Sequence, residues 1–116
     1  MTVTLYGIPN CDTVKKARAW LEAEGVAYEF HDYKKLGADP AKLAQWQQAA
    51  GWEKVINRAG TTFRKLPDAD KDGLDAAKAV SVMAASPSTI KRPIVEYPGG
   101  LLVGFKPEEW AAAFSR

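Results

Sequence analysis

The chain opens with alternating polar and apolar residues in a composition rich in β-branched side chains. This pattern predicts a first strand at Thr2–Tyr6. Gly7, Pro9 and Asn10 then interrupt it, and Asn10 is a residue type that commonly caps the start of a helix. We therefore expect a strand, a tight loop and a helix at the beginning of the chain.

Apolar residues beyond the loop recur every three or four positions, which is the period of an amphipathic helix. They are Val14, Ala17 and Leu21. Gly25 is expected to end this helix, and residues Val26–Tyr33 alternate again and predict a second strand. A strand, a crossover helix and a second strand form a βαβ unit, whose two strands should run parallel.

The middle of the chain is predominantly helical in pattern. Asp39–Pro40 is typical of a helix start, and Gly51 ends the apolar periodicity that follows. The stretch Trp52–Asp72 predicts connecting turns with at most short helices. Apolar residues then recur every third position in Gly73–Ala84, which predicts another helix.

Two short apolar runs near the C-terminus flank a Pro-Gly-Gly turn. These runs, Ile94–Tyr97 and Leu101–Phe105, predict a β-hairpin. A last helix can begin at Pro107 and extend to Phe114. The predicted order is β-α-β, then helices, then β-β-α, which indicates the α/β class.

Length and composition narrow the possible classes of protein. The 116 residues suit one domain, 1–116, with a core that needs no disulfide or metal. The sequence shows neither an apolar run that could span a bilayer nor a secretory signal pattern, so we expect a cytoplasmic protein without membrane contact. A formal net charge of only +2 argues against direct binding of nucleic acid.

Cys11 is the main candidate for chemistry. It is the only cysteine, so no internal disulfide can form, and with one histidine it cannot by itself make a structural zinc site. A free cysteine is often a small buried hydrophobic residue. A thiol at the start of a helix, however, meets unpaired backbone N–H groups and the positive end of the helix dipole, which favour the nucleophilic thiolate.

Three separated stretches give the chain a specific resemblance. They are "LYGIPNCDTVKKA" around Cys11, "FRKL" at Phe63 to Leu66, and "SPSTIKRPIVEYPGGLLVGFKPEEW" at Ser86 to Trp110. The chain resembles the arsenate-reductase-like (ArsC/Spx/YffB) family over essentially its whole length, and among its branches the YffB-type proteins. The resemblance implies a thioredoxin-like fold with a mixed four-stranded sheet and a helical insertion at roughly 37–86.

The resemblance also implies a set of site residues. Cys11 would be the nucleophile, and Arg64 and Arg92 would bind an oxyanion or a carboxylate. Taken singly, each arginine would be interpreted as a solvated surface charge. The full set implied for binding substrate or glutathione is Asn10, Arg64, Arg92, Pro93 and Lys106. The Arg92-Pro93 bond matches the site that is cis in thioredoxin folds.

Two departures from the family pattern affect the predicted function. Arsenate reductases have an arginine where this chain has Lys106, and lysine lacks the planar bidentate fork of a guanidinium. Spx-type regulators have a second cysteine three residues after the first, where this chain has Val14. An outside thiol must then resolve an oxidised Cys11, and glutathione is the abundant cytosolic candidate.

The function expected from the resemblance is a glutathione-dependent thiol reductase, with glutathione as co-substrate, glutaredoxin as a further partner and no metal. Two alternatives stay open at this point. One is a true arsenate reductase coupled to glutathione and glutaredoxin. The other is a noncatalytic module that docks on RNA polymerase, as the Spx-type relatives do.

Overall fold

The computed structural model describes residues 3–114. The elements in chain order are β1 (Thr4–Gly7), α1 (Asp12–Ala23), β2 (Glu29–Asp32), α2 (Tyr33–Leu36), α3 (Pro40–Ala50), α4 (Trp52–Val55), α5 (Thr61–Arg64), α6 (Asp68–Lys71), α7 (Ala76–Ala85), a 3-10 turn (Pro87–Thr89), β3 (Ile94–Tyr97), β4 (Gly100–Val103) and α8 (Pro107–Ala113). The prediction for Thr2 lies outside the described residues.

These elements form two compact units. The first combines the chain up to Asp32 with the chain from Arg92 onward, and the second comprises Tyr33–Lys91. The predicted helical insertion, 37–86, lies inside the second unit. That the two units act as one domain stays a prediction. None of the helices in the described chain combines the length and apolar character that crossing a bilayer requires.

A four-stranded sheet in the order β2-β1-β3-β4 organises the first unit. Strands β1 and β2 pair parallel, as the βαβ prediction requires. Strand β3 pairs antiparallel with both β1 and β4, so the predicted hairpin is confirmed as well. The mixed α/β architecture and its element order are therefore those expected from the sequence.

One face of this sheet carries the core of the first unit. Leu5, Val95 and Leu102 are paired across three strands, so their side chains lie on the same face. They pack with the apolar face of α1 and with Trp110 of α8, which is fully buried. The three predicted apolar positions of α1, Val14, Ala17 and Leu21, are all buried.

The end of α1 is closed by backbone hydrogen bonds around Gly25, the predicted stop. Gly25 has a φ of 70° and donates its N–H to the Glu22 carbonyl, while the Val26 N–H reaches the Leu21 carbonyl at 2.9 Å. This pair of bonds is the Schellman arrangement, which needs a left-handed residue that glycine adopts without strain. Val26 and Leu21 both join the core, so the turn also fixes the path into β2.

The second unit consists of two longer helices and several single turns. Helix α3 begins as predicted, because Asp39 accepts a hydrogen bond from the Ala41 N–H at 3.0 Å, and it ends at Gly51. Helix α7 begins at Ala76 rather than at Gly73, because the Asp75 side chain accepts from the Lys78 N–H and caps it there. The short helices expected between them are α4, α5 and α6.

Two predicted strands are longer than the observed ones. The second strand stops at Asp32, because Tyr33 begins the one-turn helix α2 and is fully buried in the second unit, where its hydroxyl donates to the Ile90 carbonyl. Strand β4 stops at Val103, because Gly104 has a φ of 78° and turns the chain. Phe105 then packs edge-on against the Trp110 ring instead of extending the strand.

The end of β1 is packed closely against the first turn of α1. A β-carbon added to Gly7 would lie 2.8 Å from Val14 Cγ2 and 3.2 Å from Cγ1. Val14 is fully buried, and a β-branched side chain has few rotamers with which to move away. We therefore expect Gly7→Ala to lower the free energy of unfolding by about 1–3 kcal/mol, measured by urea denaturation.

The variant Val14→Ala provides the matched test for this contact. If the two side chains collide, Gly7→Ala should cost much less stability in a Val14→Ala background than alone, a coupling of about 0.5–3 kcal/mol. Strictly additive losses would show that the added methyl group is accommodated elsewhere.

Tyr6 lies on the opposite face of the sheet from Leu5 and is almost fully buried. Its hydroxyl donates to Glu96 Oε1 at 2.7 Å, and its ring lies 4.9 Å from that of His31. Burial first, and then the bond to the Glu96 carboxylate, raise the pKa of the Tyr6 phenol well above its usual value.

This raised pKa makes a prediction for alkaline pH. A folded-state pKa above that of the unfolded chain gives stability that is fully present below about pH 10 and is lost above it. The stability advantage of the wild type over Tyr6→Phe should therefore shrink by about 1.4 kcal/mol per pH unit above pH 10, measured by denaturation at pH 8 to 11. A constant difference across this range would contradict the assignment.

Candidate active site

Cys11 lies between the end of β1 and the first turn of α1. Its N–H donates to the Ile8 carbonyl at 3.3 Å, and its own carbonyl accepts the first helical bond, from the Lys15 N–H at 2.9 Å. Cys11 is therefore itself the N-cap of α1, with extended backbone angles of φ −99° and ψ 125°. The interpretation of Asn10 as the N-cap was wrong, because Pro9 and Asn10 form the turn that the Cys11 N–H closes.

The Cys11 side chain stands at the positive end of a twelve-residue helix and makes no capping hydrogen bond. The residue is half-buried and packs against the edge of the core of the first unit. It is thus neither sealed inside the apolar core nor fully surrounded by solvent. A thiol in this setting is accessible to an incoming sulfur atom, and its apolar contacts hold it in position.

The pairing of the strands brings further candidates to the same edge of the sheet as Cys11. The carboxyl end of β1 pairs with the beginning of β3, Tyr6 opposite Ile94, and the beginning of β3 pairs with the end of β4, Ile94 opposite Val103. The segments just before β3 and just after β4 therefore lie beside the loop that leads to Cys11. These segments contain Arg92, Pro93 and Lys106.

The Arg92-Pro93 peptide bond is cis, as the resemblance implied. Pro93 is buried, and its carbonyl accepts a hydrogen bond from the Gly104 N–H at 2.8 Å, which ties this bond to the end of β4. Arg92 is half-buried, and within residues 3–114 its guanidinium has no hydrogen-bond or ion-pair partner. Its N–H donors are thus available to an anionic ligand.

Lys106 is the N-cap of α8 and is largely exposed. Its ammonium forms an ion pair with the Glu109 carboxylate at 3.5 Å. An ion pair between two exposed side chains is worth less than about 1 kcal/mol, so Lys106 can exchange Glu109 for another anion. The sequence analysis missed Glu109 as a neighbour of Lys106, although their spacing of three residues at a helix start is the signal that indicates it.

The two remaining candidates are Asn10 and Arg64. Asn10 is exposed in the turn that precedes Cys11. Arg64 belongs to the second unit, at the end of α5, where its Nε donates to the Ala59 carbonyl at 3.1 Å. Its predicted contact with a ligand at Cys11 stays a prediction. No group of three or more potential metal-ligating side chains occurs within the described part of the chain.

Comparisons with known proteins identify the family and the fold of the chain. The model of the ArsC family matches residues 6–113. The solved structure of the YffB protein is 57% identical, covers 97% of this chain and 99% of its own, and superposes with a TM-score of 0.95. A solution structure of an arsenate reductase (ArsC) related protein from Brucella melitensis is 53% identical, with 100% and 97% coverage and a TM-score of 0.76.

A curated relative extends the comparison to a regulator. The global transcriptional regulator Spx of Streptococcus mutans is 30% identical over 116 residues, which are 98% of this chain and 84% of the regulator. The family match, the YffB-like structure and the observed order of strands and helices lead to the same conclusion: the chain belongs to the ArsC family and has its thioredoxin-like fold with a helical middle.

Proposed function

We propose that this protein is a thiol reductase that uses glutathione, with the Cys11 thiolate as its single nucleophile. The observation that carries the proposal is the position of Cys11 as the N-cap of α1, at the sheet edge beside the segment that carries Arg92, whose guanidinium has no partner among residues 3–114. A helix start and a neighbouring cation both favour a reactive thiolate. Glutathione carries carboxylates that such a cation can bind.

The proposed reaction is an exchange of disulfide bonds. The Cys11 thiolate attacks the glutathione sulfur of a mixed disulfide between glutathione and a substrate thiol, and the substrate leaves as its thiolate. A second glutathione thiolate then attacks the Cys11–glutathione disulfide, which releases glutathione disulfide and restores Cys11. In the net reaction the substrate sulfur is reduced from the disulfide to the thiol level and the sulfur of the second glutathione is oxidised from the thiol to the disulfide level. The substrate thiolate takes up the proton that the second glutathione thiol has given up, and Cys11 leaves as the thiolate with which it began.

The need for an outside thiol follows from the composition of the chain. Cys11 is its only cysteine, and the residue one helical turn later is the buried Val14. No second sulfur of this chain can form an internal disulfide with Cys11. Glutathione, or glutaredoxin acting with it, is the resolving partner that we propose, and the cytoplasm is the compartment that supplies both in reduced form.

We assign the binding of substrate or glutathione to Asn10, Arg64, Arg92, Pro93 and Lys106. Arg92 and Lys106 are supported by their position at the sheet edge of Cys11. Pro93 is supported by the hydrogen bond from the Gly104 N–H to its carbonyl, which holds this segment beside the end of β4. Asn10 is supported by its exposure beside the thiol. Arg64 is supported by the family pattern around it. Within residues 3–114 only its Nε is hydrogen-bonded, so the N–H groups of Nη1 and Nη2 are available to a ligand.

The first experiment compares the reaction of Cys11 with that of an ordinary surface thiol. Wild type treated with glutathione disulfide should gain one glutathionyl group, which reduced glutathione removes, while Cys11→Ser should gain none. The double variant Cys11→Ser/Ser81→Cys has its only thiol on the exposed side of α7. We expect wild type to react about tenfold faster or more, because neighbouring cations attract the anionic disulfide.

Intact-mass spectrometry gives both rates directly. Equal rates in the two proteins would contradict an activated Cys11. If glutathione also fails to protect Cys11 from alkylation, and if RNA polymerase is retained by both wild type and Cys11→Ser, the Spx-like docking module is the better description. The 30% identity to a transcriptional regulator is the reason for including the test with RNA polymerase.

Arsenate reduction is the alternative within the enzyme class, and Lys106 is the residue that tests it. A lysine binds an oxyanion as a point charge, whereas the arginine of arsenate reductases binds it with a planar fork. In a coupled assay with glutathione and glutaredoxin, we expect Lys106→Arg to raise arsenate turnover about fivefold or more.

The control for this assay is Glu109→Gln, which removes the ion-pair partner of Lys106 without adding a fork. It should change arsenate turnover by less than about twofold, because an exposed pair contributes little. High arsenate turnover by the wild type, unchanged in Lys106→Arg, would assign the protein to arsenate reduction.

A further inference from the structure

Arg64 is held through both its side chain and its backbone within the second unit. Its Nε donates to the Ala59 carbonyl at 3.1 Å, and its own carbonyl accepts a hydrogen bond from Lys71 Nζ at 3.1 Å. No other partner of its guanidinium occurs in residues 3–114. The two terminal nitrogens, Nη1 and Nη2, therefore keep their N–H groups for a ligand that approaches the end of the guanidinium.

The hydrogen bond from Lys71 Nζ provides a donor for the last carbonyl of α5, that of Arg64. Helix α5 is a single turn of four residues, and an isolated turn of this length is not stable on its own. The N–H groups of Lys65 and Leu66 donate to the carbonyls of Thr61 and Phe63 instead, and within residues 3–114 no backbone N–H bonds to the Arg64 carbonyl. A cation at the carbonyl end of a helix satisfies that carbonyl and interacts favourably with the dipole.

The surroundings of Lys71 distinguish it from an ordinary surface lysine. Its side chain is only 29% exposed, and its ammonium also lies 3.7 Å from the highly exposed Asp68 carboxylate. The ammonium of Lys71, the last residue of α6, thus lies between the Arg64 carbonyl and the carboxylate of Asp68, the first residue of α6. Lys78 has a similar role for α6, because its ammonium donates to the carbonyls of Ala69 and Asp72.

We propose that Lys71 is a positioning residue for Arg64. By holding the Arg64 carbonyl, Lys71 fixes the end of α5, so that the guanidinium stays bonded to Ala59 through Nε and presents Nη1 and Nη2 to a carboxylate. Two parallel N–H groups match the two oxygens of a carboxylate. The inference rests on the proposed function, because it takes Arg64 to bind an anionic group of glutathione.

The test uses S-methylglutathione, which keeps the carboxylates of glutathione and has no free thiol. Its dissociation constant, measured by calorimetry or by titration of amide resonances, reports binding without any reaction at Cys11. We expect Lys71→Met to weaken binding about five- to tenfold, because loss of one hydrogen bond to a charged group lowers affinity by about tenfold or more, and this variant loosens that contact without removing Arg64. Lys71→Arg, which keeps a cationic donor, should recover at least half of the binding free energy that Lys71→Met loses.

Lys65→Met is the matched control for charge. Lys65 is the exposed neighbour of Arg64, and within the described residues its side chain has no partner. The variant loses the same unit of charge beside Arg64 in the sequence, without a bond to the Arg64 carbonyl, and should weaken binding less than twofold. Equal weakening by Lys65→Met and Lys71→Met would show that only the local charge matters and would overturn the proposal.

A double-mutant cycle separates positioning from general damage. If Lys71 acts through Arg64, Lys71→Met should have almost no further effect on affinity in an Arg64→Met background, whereas additive effects would overturn the proposal. Should Lys71→Met fail to fold, Lys71→Gln, which keeps an uncharged N–H donor, replaces it in the cycle. An Arg64→Met variant that binds S-methylglutathione like the wild type would instead remove Arg64 from the proposed function.

Discussion

The close contact between Gly7 and Val14 is the constraint on which the rest of the candidate site depends. Strand β1 can approach the first turn of α1 because Gly7 has no β-carbon, and Val14 fills the space that is left. The turn between them is thereby short, and it is closed by the bond from the Cys11 N–H to the Ile8 carbonyl. Cys11 becomes the helix N-cap as a consequence of the contact between Gly7, four residues before it, and Val14, three residues after it.

The sheet then determines which side chains can join Cys11. Strand β3 runs antiparallel to β1, so the chain enters β3 at the edge where it leaves β1. The segment before β3 is held in place from two sides, by the pairing of Ile94 and by the bond between the Gly104 N–H and the Pro93 carbonyl. Arg92 is thus carried on a well-supported backbone, while its guanidinium is left without a protein partner among residues 3–114.

Most of this architecture could be predicted from local sequence patterns, because β1, α1 and the hairpin have strong periodicity and clear turn residues. The N-cap of α1 could not be predicted in this way, since the choice between Asn10 and Cys11 depends on the hydrogen bond from the Cys11 N–H to the Ile8 carbonyl, which forms only in the folded turn. The single turns of the second unit have no periodicity of their own. The ends of helices α5 and α6 receive side-chain hydrogen bonds from Lys71 and Lys78, which lie six to nine residues along the chain from the carbonyls they reach, so that no pattern within four residues reveals them.

The cationic side chains at the sheet edge of Cys11, Arg92 and Lys106, bear on the size of the substrate. Lys106 already has Glu109 beside it, whereas Arg92 has no protein partner in the described chain. A small dianion such as arsenate gains most from several cations that converge on one point, and a lysine, which offers a point charge, serves this less well than a guanidinium fork. A flexible peptide thiol places single carboxylates some distance from its sulfur, so separate cations can each bind one of them. The distribution of charge in the first unit is therefore the physical basis of our proposal of glutathione rather than arsenate.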